Sequence, residues 1–425
     1  MTSAAGNFSV QVEGTGAPEE VGVTRLSWPS HPGHTGSVVS DLGWDMRPLS
    51  GVSAEVADLV HLAGAAYMAD RLTPRGARFS RDMTLTVAVL APDSWTEDVV
   101  YAVAQLLAWL TGDVWTLRTI ASADTPREAP LDVADHSPVS LLSGGLDSFL
   151  GAIVLGSERG TPRFLGHKDS ATSIRAAQGA VWDWLSKAFA PAPSYKRIEL
   201  AQAGRRLEAS SRSRAFMFMS LGVALAASTG SNQLVVPENG FTSINLPLRP
   251  NRGGALSTRS THPDTFRRFG EILRELGIDV AITNPFEWLT KGEAMLHVRA
   301  LLPPAGWEAA AGLTISCSKL GGNWFTGSPN LNCGLCVPCM VRRATFVRAE
   351  TVDHSEYLFQ SLTGSNLDRL VDARRGDIEA VKYAIQIGVD INGIDSGTWP
   401  ADIDLDRVED LVKRGLNELA LLDLP

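Results

Sequence analysis

A short apolar run, VSLL, passes directly into Ser143-Gly144-Gly145-Leu146-Asp147-Ser148 and then into FLGAIVL, which has helical density. Glycine allows the tight turn and the close approach of a ligand to the backbone, and the unpaired N–H groups at a helix start favour an anion. The strand-then-helix rhythm continues through RFLGHKDSATSIRAAQGAVWDWLSKAF, through SYKRIELA and the helix around AFMFMSLGVALAAS, and into NQLVVPENG. Alternation of this kind predicts an α/β fold: a doubly wound, mainly parallel sheet with helices on both faces. The loop itself suits phosphate. Ser143 and Ser148 add hydroxyl donors, and Asp147 fits beside phosphate when Mg²⁺ lies between them. The plainer alternative is a strand-to-helix turn capped by serine. The loop has neither the Gly-Lys-Ser ending of a Walker A loop nor G-x-G-x-x-G, which argues against γ-phosphate transfer and hydride chemistry.

All four cysteines lie between Cys317 and Cys339. Cys333, Cys336 and Cys339 form two Cys-x-x-Cys steps that share Cys336, and Cys317 supplies a fourth thiolate, the pattern of a tetrahedral zinc site. Four thiolates leave no position for water, so the expected metal is structural; an Fe–S cluster is the alternative that the same ligand count allows. No cysteine remains for redox sulfur transfer or a cysteine-type glutaminase.

At 425 residues the chain exceeds one typical domain. Four consecutive segments are expected: an N-terminal α+β extension (1–136), the phosphate-loop domain (137–312), a zinc lobe (313–354) and a helical C-terminal cap (355–425). Within the first, short strands to about residue 50 precede a helix over AEVADLVHLAGAAYMADRL, a strand over MTLTVAVLAP and a helix ending at Gly112. RGDIEAVKYAIQIGVDINGID has the look of part of an ankyrin repeat, but no second copy follows. The net charge of -9 offers no bulk attraction to nucleic acid or anionic membrane. The start of the chain has no basic and apolar leader pattern, and no run nears ~18 apolar residues, so a soluble cytoplasmic protein is expected.

The strand-Ser-Gly-Gly-x-Asp-Ser-helix arrangement resembles the pyrophosphate-binding loop of N-type ATP pyrophosphatases. With the downstream Cys…Cys-Gly-x-Cys-x-x-Cys-x-x-Arg, residues 137–350 resemble the QueC family of 7-cyano-7-deazaguanine synthases. Arg342 and Phe346 fall where that family's Arg and Phe follow the last cysteine, and Lys291 in TKGEAM matches its Lys-x-Glu helix start. The family's Arg-Asn-Thr stands here as Arg214-Ala215-Phe216. Ala69-Asp70-Arg71, the stretch Leu110 to Trp115, Pro-Glu-Asn-Gly at 237–240 and the segment 256–263 are similar to the QatC type of antiphage operons. The resemblance implies adenylation of the carboxylate of 7-carboxy-7-deazaguanine by ATP, with release of pyrophosphate and coupling to an amine on a partner protein from the same operon. Two alternatives stand beside it: a nitrile-forming synthase using ammonia, and a non-catalytic ATP-binding scaffold.

On that reading Asp147 positions Mg²⁺, residues Ser143 to Ser148 cradle pyrophosphate, and Lys291 and Arg214 offset negative charge. His167, at the end of RFLGH, falls where an adenine or ribose pocket is expected. Ligands of open α/β sheets bind beyond the carboxyl ends of strands. Glu238, Asn239, Ser257, Thr258, Arg259, Thr261 and His262, in the polar stretch that follows NQLVV, are therefore candidate substrate contacts, as is Arg342; the alternative is a solvated surface loop. No direct contact to nucleic acid or membrane is expected.

Overall fold

The computed structural model describes every residue except 1–4, 13–20, 32–35, 50, 77–79, 125–136, 159–160, 169–170, 205–206, 209 and 250–258. Eleven described strands run in chain order: β1 (Ala5–Val12), β2 (Thr24–Trp28), β3 (Val38–Ser40), β4 (Asp82–Val89), β5 (Val114–Ala121), β6 (Val139–Leu141), β7 (Arg163–His167), β8 (Ser194–Ile198), β9 (Leu200–Gln202), β10 (Gln233–Val235) and β11 (Ala281–Thr283). They form a four-stranded sheet of order β2-β1-β4-β5, a five-stranded sheet of order β11-β10-β6-β7-β8, and the antiparallel pair β3-β9. Both larger sheets are parallel, so the α/β class expected from the strand-helix alternation is present. Among the described residues no helix is long and apolar enough to cross a membrane.

The chain forms two compact units, and they do not follow the four consecutive segments suggested by the sequence. The first comprises 1–139, 196–235 and 256–283; the second comprises 140–195, 236–255 and 284–425. In the first unit the four-stranded sheet alternates side chains in and out. Phe8, Val10 and Val12 of β1, Met83, Leu85 and Val87 of β4, and Trp115 and Leu117 of β5 are buried, while Ser9, Thr86 and Thr116 turn away. That period of two was visible in FSVQV and MTLTV. The helix Ala54–Leu72 is buried throughout from Val56 to Asp70, because it packs against this sheet and against the helix Arg214–Thr229. A helix apolar on all sides needs cover on all sides.

Asp70 and Leu110–Trp115, two of the features that carry the QatC resemblance, meet in this unit. The fully buried Arg81 guanidinium pairs with Asp70 and with Asp113 (2.6 Å), and also donates to the Asp70 carbonyl oxygen (2.8 Å). Arg75 adds a second cation to Asp113 at 2.7 Å, and Ser213 donates to Asp70 at 2.9 Å. Removing one partner of such a buried set strands the remaining charges. Arg81→Ala is accordingly expected to cost about 3–5 kcal/mol, read as a lowered midpoint in urea unfolding.

In the second unit the helix Val337–Arg348 and the C-terminal helices Gly364–Ile387, Ile391–Asp395 and Leu405–Leu419 share one apolar cluster with the four cysteines. Leu335, Met340, Ile378, Val381, Leu411 and Leu416 are all part of it. The cysteine segment and the C-terminal helices thus contribute to one shared core cluster. The ankyrin-like stretch lies largely in the single 24-residue helix Gly364–Ile387.

Candidate functional site

The sheet order changes direction at β6. Strands β7 and β8 follow on one side, while β10 and β11 lie on the other. Crevices outside the carboxyl ends of strands at such a reversal are where open α/β sheets bind ligands. The residues following β6 and β10 belong to the second unit and meet there.

After the buried β6, Gly144 turns with φ 88° and the helix Leu146–Glu158 begins. A Cβ at Gly144 would also press on Gln178, 3.1–3.2 Å away, so both the angle and the space select glycine. Gln178 spans Ser143 O (3.4 Å) and His167 O (3.1 Å), and the Gly144 carbonyl accepts from Ile315 N at 3.0 Å. The Ser143 hydroxyl accepts from Gly145 N (3.3 Å) and lies 3.2 Å from the Ser148 hydroxyl, which donates to Gly145 O at 3.0 Å. Ser143 is exposed, whereas Leu146, Asp147 and Ser148 are buried.

Asp147 stands in the first turn of that helix, where the dipole favours a carboxylate. Its Oδ2 pairs with Lys291 Nζ at 2.7 Å, and both carboxylate oxygens accept from Asn239 Nδ2 at 3.2–3.3 Å. Asn239 is itself fixed as the N-cap of the helix Gly240–Ile244, its Oδ1 accepting from Thr242 N at 3.1 Å. Gly240 follows because a Cβ there would lie 1.9 Å from Glu287 O. Lys291 opens the helix Lys291–Ala300 inside a capping box formed by Thr290 and Glu293. Asn284 sets the backbone of Glu238 from both sides, accepting from its N–H (3.1 Å) and donating to its carbonyl (2.8 Å). Two carboxyl groups, one ammonium and a glycine-formed helix start thus converge.

Burial, and then the neighbouring Asp147 carboxylate, push the Glu238 carboxyl up to about 8, against the opposing pull of Lys291. Two carboxylates brought together in this way are suited to a divalent cation, which would relieve their repulsion. The raised value also fixes a sign. Between about pH 4.5 and about 8 the folded chain keeps a proton that the unfolded chain has released, so this group's contribution to stability is full below that window and is lost as pH rises through it. Glu238→Gln is expected to remove that part of the decline, measured as unfolding free energy at pH 5, 6.5 and 8 in both proteins.

The four cysteines are buried, with all sulfur atoms within 4.8 Å of one another. Cys317 Sγ lies 3.9 Å from Cys336 Sγ, and Cys333 Sγ lies 3.9 Å from Cys339 Sγ. A tetrahedron with metal–sulfur bonds of about 2.3 Å has edges of about 3.8 Å. The residues therefore fit a single metal ion such as zinc. Cys333 N donates to Cys317 Sγ (3.4 Å) and Cys336 N to Cys333 Sγ (3.3 Å), which favours the thiolate form. Hydrogen bonding among the sulfurs pushes Cys333 and Cys336 down, Cys336 to about 7, and pushes Cys317 and Cys339 up.

Other candidates have different settings. Arg342 is fully buried, and its five N–H donors go to Thr314, Ser316, Ser355 and Ala311 O. Arg342, expected as a substrate contact, ties the Cys339 helix to the segments 311–316 and 355 and has each of its five donors engaged within the chain. His167 is buried at the end of β7. In the first unit, Arg214 begins the helix Arg214–Thr229, with its N–H on Ser211 O at 3.3 Å. Arg259 stacks over Trp109 at 4.0 Å and donates to its carbonyl oxygen. Thr261 ends a short 3-10 turn. His262 caps the helix Pro263–Glu275 through Nδ1, and burial lowers its pKa to about 4. Ser257 and Thr258 lie outside the described residues. Sequence reasoning did not single out Asn284, Thr242 or the pairing of Thr290 with Glu293 as a helix cap. Only the last carried a local signal, the Thr-x-x-Glu spacing.

Compared with protein-family models the chain matches none, and among curated proteins no significant match is found.

Proposed function

We propose that the chain is an ATP-dependent ligase of the N-type ATP pyrophosphatase class, QueC-like, which adenylates a carboxylic acid and hands the acyl group to an amine. The observation that supports this most is the placement of Asp147. It sits one residue into a helix that follows a Gly-Gly turn, in contact with Lys291 and Asn239 and beside Glu238. A helix start with glycine-formed approach suits the β- and γ-phosphates, and Lys291 supplies a positive charge where negative charge grows on the departing pyrophosphate. Asp147 and Glu238 are the residues that would hold Mg²⁺, which, when bound, screens phosphate charge.

In the reaction proposed, a carboxylate oxygen forms a bond to the α-phosphorus, and the bond from that phosphorus to the bridging oxygen breaks, with the electron pair leaving on pyrophosphate. An amine nitrogen then bonds to the acyl carbon, the acyl carbon–oxygen bond breaks, AMP leaves, and the amine gives up a proton. The four-cysteine metal plays no part in these steps, since its ligand set is closed. The substrate we assign is 7-carboxy-7-deazaguanine, with the amine carried by a partner protein of an antiphage system. The assay is pyrophosphate release from ATP and Mg²⁺ with and without that acid. Release that requires the acid supports the reading. Absence of release with the acid, ammonia and candidate protein amines all present overturns it in favour of a nucleotide-binding scaffold.

A further inference from the structure

The Lys291 helix does not start unaided. Its first turn is gripped by the C-terminal helix Leu405–Leu419, which lies more than a hundred residues further along the chain. The buried Glu418 carboxylate accepts from the Thr290 hydroxyl through one oxygen and from Gly292 N at 3.1 Å through the other. Thr290 and Gly292 flank Lys291 on either side. Arg414, one turn earlier on the same helix, pairs with Glu293 and donates to Trp288 O at 3.3 Å. A Cβ at Gly292 would fall 2.4 Å from Glu418 Oε1 and 2.6 Å from Arg348 Cγ, so glycine there is what admits the carboxylate. The same helix also braces the Asn239 side of the site. A Cβ at Gly240 would meet Leu411 at 2.7 Å, and one at Gly415 would meet Phe241 at 2.2 Å.

We infer that the C-terminal helix is a working part of the site, with Glu418 a positioning residue that holds the first turn of the Lys291 helix so that Nζ stays at Asp147. A carboxylate on the N–H groups of a helix start is a favourable cap. Here it is supplied by a remote helix and clamps the two residues adjacent to the lysine. The inference rests on the proposed role of Lys291 toward phosphate, but the placement of the lysine can be read without turnover.

The test uses the full-length, metal-loaded protein and the variants Glu418→Gln, Glu418→Ala and Gly292→Ala. Gly292→Ala displaces the carboxylate without removing any charged residue from the chain. Trace acetylation at Lys291, relative to the other lysines, is read by mass spectrometry. Loss of a cap contact predicts labelling faster by about tenfold in Glu418→Ala, with Gln intermediate because it keeps one acceptor. In pyrophosphate release, kcat falls on the order of 10²-fold in Glu418→Ala while KM for ATP holds, the pattern of a displaced group and not of a smaller folded fraction. Metal content and thermal unfolding identify variants that do not fold; if Ala is among them, Gln and Gly292→Ala decide. Folded variants whose Lys291 labelling equals that of the wild type overturn the inference. A wild-type protein without pyrophosphate release overturns the functional reading instead, and labelling alone then decides the placement.

Discussion

Asp147→Asn is expected to reduce acid-dependent pyrophosphate release by 10²- to 10³-fold while leaving the fold intact, and Lys291→Ala to do the same, about the cost of removing one preorganised electrostatic contact from a transition state. The two should not behave as independent losses. Their side chains are in contact at 2.7 Å, so the double variant is expected to fall far short of the product of the single effects. They should also differ in character. Asp147→Asn removes a ligand that Mg²⁺ would use, so added Mg²⁺ should recover part of its activity, whereas no concentration of Mg²⁺ should recover Lys291→Ala. Single-turnover assays across a Mg²⁺ series would separate the two. Full activity in Asp147→Asn would remove the carboxylate from the mechanism.

Metal removal is expected to have the largest effect on stability. Binding free energies of structural four-ligand sites are on the order of 10 kcal/mol, and they become folding free energy because the unfolded chain holds no preformed site. The cysteines here lie inside the apolar cluster of the second unit, alongside Leu411 and Leu416 of the C-terminal helix. Chelation, or Cys336→Ser, should therefore lower the melting temperature of the second unit sharply. It should also abolish the pyrophosphate release proposed above, because the helix that carries Glu418 loses its seat. Elemental analysis at one metal per chain, and differential scanning calorimetry before and after chelation, check this. A Cys336→Ser protein with undiminished metal content and stability would refute it.

What was legible in the sequence was whatever is written in neighbouring residues. The turn at Gly144 and Gly145, the carboxylate two residues on and the Cys-x-x-Cys steps each carry their geometry within a few positions, because backbone angles and ligand spacing are local properties. Lys291 was found through a short motif at a helix start. Arg342 also lay in a motif, yet the motif could not say that Thr314, Ser316 and Ser355 would consume its donors. Glu418 left no sign at all, since a Glu on the amphipathic helix LDRVEDLVKRGLNEL reads as solvated surface until a partner over a hundred residues away is known. Asp70 and Asp113 stood in motifs that carry the resemblance, but nothing local said that Arg81 would join them.

The division of the chain bears on how it is made. It passes from one unit to the other at 139–140, 195–196, 235–236, 255–256 and 283–284. All four strands of the β2-β1-β4-β5 sheet are translated by residue 121, but the helix that covers Ala54–Leu72 is translated only at 214–229, and β9, the partner of β3, at 200–202. An apolar helix is thus left waiting for about 140 residues of synthesis, roughly ten seconds or more at ordinary elongation rates. A nascent chain of this layout leaves that apolar face uncovered during the interval, and a fragment cut at residue 136 would lack the covering helix altogether.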